Sequence, residues 1–226
     1  MKFKSTHILL GFSTFLFAYS LNKTTNLWYP ILLGFAVFLY YSFPRTSFIM
    51  RVYLLFGLCL VLTLAWSVNL VLLFPLLFAI ILTITYPWLR EIPWAKTPVI
   101  ASSWTMFMLS VMSRSEVLNL VPCMVLLFLF GVLAIASDVK DSEIDSIRLK
   151  TLPQVLPWNV LRWVLLSVFC VILGLTVFFL PNWLLGAILF STFSTYVLFR
   201  NWTKPISFDL DPGLILFALG NLLYLR

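Results

Sequence analysis

The sequence is short of acid. Of 226 residues only eight are Asp or Glu, and none precedes Glu91. There is one histidine, His7, near the start of the first apolar segment. A lone histidine offers no Ser-His-Asp set, and His7 reads as an interfacial residue. The three cysteines, Cys59, Cys123 and Cys170, all lie inside apolar runs and form no CxxC pair. An odd, scattered set indicates neither a disulfide framework nor a zinc site; these cysteines read as small buried hydrophobes. Charge of either sign is scarce at 10%, against about 25% in soluble domains.

What is present is apolar: 62% hydrophobic residues, 22 Phe and a mean hydropathy of +1.05. A soluble core of this size has no room to hide that much apolar surface, so lipid is the expected solvent. The abundant aromatics fit lipid-facing positions, helix contacts or a greasy pocket alike. The length suits a single integral domain, residues 1–226. The net charge of +7 would suggest nucleic acid in a soluble protein. Here the basic residues sit between apolar runs, so membrane topology explains them and nucleic-acid binding is not expected. Lys2 and Lys4 precede an apolar stretch without an A-x-A-like cleavage site, and another apolar run follows closely. That stretch reads as a first spanning helix and not as a removed signal.

Nine apolar segments follow: Ile8–Leu21, Leu27–Phe43, Val52–Trp66, Leu70–Leu89, Thr97–Met112, Val117–Ala136, Trp163–Leu180, Trp183–Phe199 and Leu210–Leu225. They are continuous and not alternating, which speaks against a barrel. The expected fold is all-α, an integral membrane bundle of about nine transmembrane helices. With the N-terminus on side one, that side holds Lys2, Lys4, Arg45, Arg51, Arg90, Lys96, Lys140, Arg148, Lys150, Arg162, Arg200 and Lys204. Side two holds Lys23, Arg114 and Arg226. The 12 to 3 split of the basic residues makes side one cytoplasmic by the positive-inside rule.

Four of the eight acids fall within Asp138-Val-Lys-Asp-Ser-Glu-Ile-Asp145, after the sixth segment. If the sixth helix continues past the membrane surface, Asp138, Asp141 and Asp145 lie at i, i+3 and i+7 on one face. Three carboxylates on one face repel unless a cation joins them. Mg²⁺ commonly takes one or two carboxylates plus substrate phosphates, and Lys140, Arg148 and Lys150 stand alongside for diphosphate oxygens. Spacing alone supports a solvated mixed-charge loop equally well. A second patch, Tyr86-Pro-Trp-Leu-Arg90-Glu-Ile-Pro-Trp-Ala-Lys96, lies on the same face. Taken alone it reads as an interfacial anchor.

Together these residues resemble the UbiA superfamily of intramembrane prenyltransferases. Ser137 to Pro153, with its Asp spacing and Lys150-Thr-Leu-Pro153 tail, is similar to that family's second aspartate-rich motif. The patch Tyr86–Lys96, with Trp104 beyond it, is similar to the family's tyrosine–basic loop. Asp211-Pro-Gly213 resembles a D-G step opening the last helix. The resemblance covers nearly the whole chain. It implies a helical bundle around a lipid-facing cavity, a Mg²⁺ cofactor, an isoprenyl diphosphate donor and a lipophilic acceptor, in a bacterial inner membrane. It further implies Asp138, Asp141 and Asp145 as metal ligands, Arg90, Lys140 and Lys150 on the diphosphate, and Tyr86 with Asp141 as catalytic residues.

The family's first motif, N-D-x-x-D-x-x-x-D, has no counterpart. Its place reads Tyr40-Tyr-Ser-Phe-Pro-Arg45-Thr-Ser-Phe. This resembles a divergent branch in which Arg45 would meet phosphate directly. Two functions are therefore carried forward: Mg²⁺-dependent prenyl transfer, and non-catalytic binding of a prenyl lipid by the same fold. A secondary transporter is a weaker third, since the acids lie at a membrane surface and not mid-bilayer.

Overall fold

A computed structural model describes residues 5–21, 30, 31, 34, 70–89, 92, 94–110, 112, 119–141, 151–200 and 210–224. Its elements are α1 (Ser5–Leu21), α2 (Leu70–Leu89), α3 (Lys96–Leu109), α4 (Leu120–Asp141), the single-turn α5 (Leu152–Val155), α6 (Trp158–Phe179), α7 (Leu184–Arg200) and α8 (Asp211–Tyr224). A 3₁₀ turn, Pro181–Trp183, joins α6 to α7. No strand occurs among the described residues. The second and third apolar segments lie outside the described residues, apart from residues 30, 31 and 34, which are helical.

Three helices among the described residues are long and apolar enough to cross a membrane: Leu120–Val139, Trp158–Phe179 and the stretch Pro181–Arg200. Lengths of 20 to 22 residues match the ~30 Å hydrocarbon layer at 1.5 Å per residue. The helices satisfy their own backbone groups, which a lipid environment demands. Large apolar side chains point outward, among them Phe74, Ile81, Leu120, Val177 and Phe178. In water such a surface would be an aggregation hazard; against acyl chains it is solvated.

The helices pack in the order α2, α3, α4, α6, α7, α8, α1. The circuit closes where Phe17 of α1 meets Phe130 of α4 at 5.7 Å, edge to face. Phe17 also lies 5.3 Å from Phe217 of α8. Trp104 of α3 stacks on Phe130 at 5.8 Å, and Trp183 meets Phe217 edge-on at 6.0 Å. This aromatic chain runs through the middle of the core. Such pairs add about 0.5–1.5 kcal/mol each beyond the area they bury.

Polar and small residues set the closest approaches. Thr83 of α2 and Ser103 of α3 share a 3.0 Å hydrogen bond, and Thr83 also donates to the Ala79 carbonyl at 2.8 Å. Between α7 and α8 the backbones nearly touch. A Cβ on Gly220 would sit 2.5 Å from Gly186 Cα, and one on Gly186 would strike the Phe217 carbonyl and Asn221 Oδ1. Close approach through small residues is how helices gain contact when lipid removes the hydrophobic drive between them. One turn further along α7, Phe190 lies over Gly213 near the start of α8, so α7 and α8 run antiparallel.

Gly220→Leu is expected to force these helices apart and destabilise the protein by about 1–3 kcal/mol or more, the range for overpacking. Thermal unfolding in detergent measures it, with the exposed Leu223→Ala as a control that moves little.

Candidate functional site

The α3 helix runs antiparallel to α4, as two contacts show. Trp104 meets Phe130 at mid-helix. At the ends, Lys96, the first residue of α3, meets Asp138 on the last turn of α4. Ala101, Ala134 and Ala136 are buried small residues on the two helices.

The approach to α3 is a tight turn. Ile92 N–H donates to the Leu89 carbonyl at 3.1 Å and Ala95 N–H to the Ile92 carbonyl at 3.2 Å. Trp94 between them has φ 71°, the left-handed region that a bulky residue avoids. Ala95 caps α3 and Pro98 sits in its first turn, where a missing N–H costs nothing. This turn delivers Lys96 and Thr97 side by side to α4.

Asp138 is fully buried. Its Oδ1 lies 2.8 Å from Lys96 Nζ. Its Oδ2 accepts a 2.9 Å hydrogen bond from Thr97 Oγ1. The Lys96 side chain is 11% exposed and that of Asp138 is not exposed, so Lys96 forms the outer edge of the pair. The positive end of α3 adds to the favourable field. Without it an aspartate at the C-terminal end of α4 would face that helix's negative pole.

The other expected site residues divide by location. Tyr86 is half-buried on the last turn of α2, at the same end of the bundle. Asp141 ends α4, three residues after Asp138, and Lys140 lies between them; the side chains of both are outside the described residues. Arg45, Arg90, Asp145 and Lys150 lie wholly outside the described residues. The Thr-Leu-Pro tail begins α5: Thr151 N–H donates to Gln154 Oε1 at 3.1 Å, half of a capping box. Asp211-Pro-Gly213 opens α8, and Gly213 N–H donates to the Leu210 carbonyl at 2.8 Å.

Two groups had no assigned role in the sequence. Lys96 and Thr97 are one; a Lys-Thr-Pro run ahead of an apolar segment is a helix-start signal, but nothing in it names Asp138. Arg162, on the first turns of α6, is the other. It is buried, and its Nη2 donates to Asn159 Oδ1 at 2.9 Å.

No known protein family, curated protein or solved structure matches the chain. Among the described residues no three His, Cys, Asp or Glu side chains gather as a metal would require. Asp138 does not fit a metal as it stands. Both of its oxygens are engaged by protein groups and it has no exposed surface. Mg²⁺ demands near-octahedral oxygen ligands and usually keeps several waters.

Asp138→Ala leaves Lys96 buried without its carboxylate and is expected to cost about 3–5 kcal/mol. Thr97→Val removes one hydrogen bond to a charged group, about 1.5–3 kcal/mol. Chemical denaturation of the detergent-purified protein compares the two, and Thr97→Val proving the costlier would contradict the geometry.

Proposed function

We propose that this chain is a UbiA-like intramembrane prenyltransferase. It would bind an isoprenyl diphosphate where α2, α3, α4 and α6 converge and pass the prenyl group to an aromatic or lipid acceptor. One observation carries the reading: the two polar patches that resemble the family's motifs, 42 residues apart in the chain, meet through Lys96 and Asp138. Nine helices, the N-terminus and the aspartate motif on the cytoplasmic face and a bacterial inner membrane complete it; the 12 to 3 division of basic residues supports the orientation.

Roles follow from chemistry and position. Arg45, Arg90, Lys140 and Lys150 are the cations for the diphosphate. Tyr86 lies at the end of α2, and its role would be to stabilise an electron-poor allylic carbon, as aromatic faces stabilise other cations. Mg²⁺ would neutralise charge on the departing diphosphate. With Asp138 engaged by Lys96, Asp141 and Asp145 are the carboxylates left to hold it.

A second reading is favoured by that same ion pair and by the missing first motif: a protein of this fold that binds a prenyl lipid without turnover. Geranylgeranyl diphosphate binding to the detergent-purified protein, with and without Mg²⁺, separates the two. Metal-dependent binding that falls at least tenfold in Asp141→Asn, with diphosphate release by the wild type, is the expected result. Binding without release favours the second reading, and no binding by folded protein ends the first.

A further inference from the structure

We infer that Lys96 is the resident counter-cation of Asp138, an ammonium standing where a divalent cation would otherwise be needed. Asp138 is then a positioning residue that holds the Leu89–Lys96 turn to the end of α4. This rests on the reading above and gives the physical reason that Asp138 stands outside its metal ligands, while its own test is separate.

Asp138 has no exposed surface, and an isolated carboxylate in such a place would be neutralised or paired. It is paired, to Lys96 Nζ at 2.8 Å and Thr97 Oγ1 at 2.9 Å. Both partners come from the first turn of one helix, so a single rigid element supplies the charge and the second hydrogen bond. An ammonium at this distance and a divalent cation cannot share one face of a buried carboxylate, because the two cations repel at short range in a low dielectric. The metal would also have to bring water into a place that holds none of the solvent boundary.

The turn ahead of α3 supplies a second, independent observation. Trp94 is held at φ 71° although half its surface faces outward, so its own packing does not explain the conformation. A strained residue persists when its surroundings over-determine it. One turn hydrogen bond, Ile92 N–H to the Leu89 carbonyl, stands before it, a second, Ala95 N–H to the Ile92 carbonyl, closes across it, and the Lys96 and Thr97 contacts follow within three residues. The ion pair thus anchors the far side of the strained turn. Tyr86 precedes this turn, and Asp141 follows Asp138 on α4, so the anchor sets the spacing between the two patches.

Removing the ammonium should convert Asp138 into a carboxylate that seeks a metal. The full chain in detergent is compared as wild type, Lys96→Ala, Lys96→Arg, Asp138→Asn and the double variant Lys96→Ala/Asp138→Asn, each with EDTA or with Mn²⁺. Lys96→Ala is expected to melt below the wild type in EDTA and to be raised by Mn²⁺ more than the wild type is. The double variant should melt above Lys96→Ala in EDTA and lose that added Mn²⁺ response, and Lys96→Arg should melt close to the wild type. Mn²⁺ affinity, read by electron paramagnetic resonance, should agree within twofold between wild type and Asp138→Asn.

A tenfold loss of Mn²⁺ affinity in Asp138→Asn would overturn the inference, because Asp138 would then be a metal ligand. A double variant that melts no higher than Lys96→Ala would overturn the pairing. If Lys96→Ala does not fold, the Asp138→Asn affinity and the Lys96→Arg melting still decide. A wild type that binds neither Mn²⁺ nor a prenyl diphosphate ends the enzyme reading, while the melting comparison continues to judge the ion pair.

Discussion

A carboxylate sealed from water must be neutralised where it stands, and at Asp138 that requirement shapes one end of the molecule. The neutralising groups come from the first turn of α3, so α3 must begin where α4 ends. This sets the antiparallel register of the two helices, which the Trp104–Phe130 stack continues at mid-length. The same contact fixes the Leu89–Lys96 turn, with Trp94 in its left-handed conformation, and so ties α2 to the pair. Breaking such a pair on one side is costly because the partner left behind has no water to turn to.

The remaining architecture suits lipid as the outer solvent, for which three of the described helices are long and apolar enough. With apolar side chains content on either side, contact between helices has to come from shape and from hydrogen bonds. The Gly186–Gly220 crossing supplies the first and the Thr83–Ser103 bond the second. Aromatic rings fill the middle, with Phe17 linking three helices. At the end that carries the ion pair, Trp88, Trp94, Trp163, Tyr196 and Phe199 are all exposed, and Arg200 closes α7. Phe178, Phe179 and Tyr224 are exposed at the opposite end. Trp and Tyr at helix ends are the residues that a membrane–water interface favours.

Much of this was legible in the residue order. The segment Leu70–Leu89 became α2 with the same limits, and Asp138 and Asp141 do lie on a continuation of the sixth apolar segment. Continuous apolar runs specify helices in lipid without reference to the rest of the chain. The site was less legible. Asp138 stood out by charge and reads in the sequence as a metal ligand, whereas its oxygens meet Lys96 and Thr97. Lys96 was visible as the last residue of the Tyr86–Lys96 patch with no role of its own, and Arg162 only as one more basic residue, although both are buried.

Composition and hydropathy along the chain determined the helical class, the apolar character of the helices and the gathering of acids beside the Asp138 position. Those are one-dimensional properties, set by local transfer energies and by the backbone's need to satisfy itself. Which cation neutralises Asp138 was decided only by tertiary structure. The answer depends on the crossing of α3 and α4 and on a turn strained at Trp94, and a contact across 42 residues leaves no periodic trace in sequence. A pairing energy arises between groups brought together, and only the folded chain brings them together.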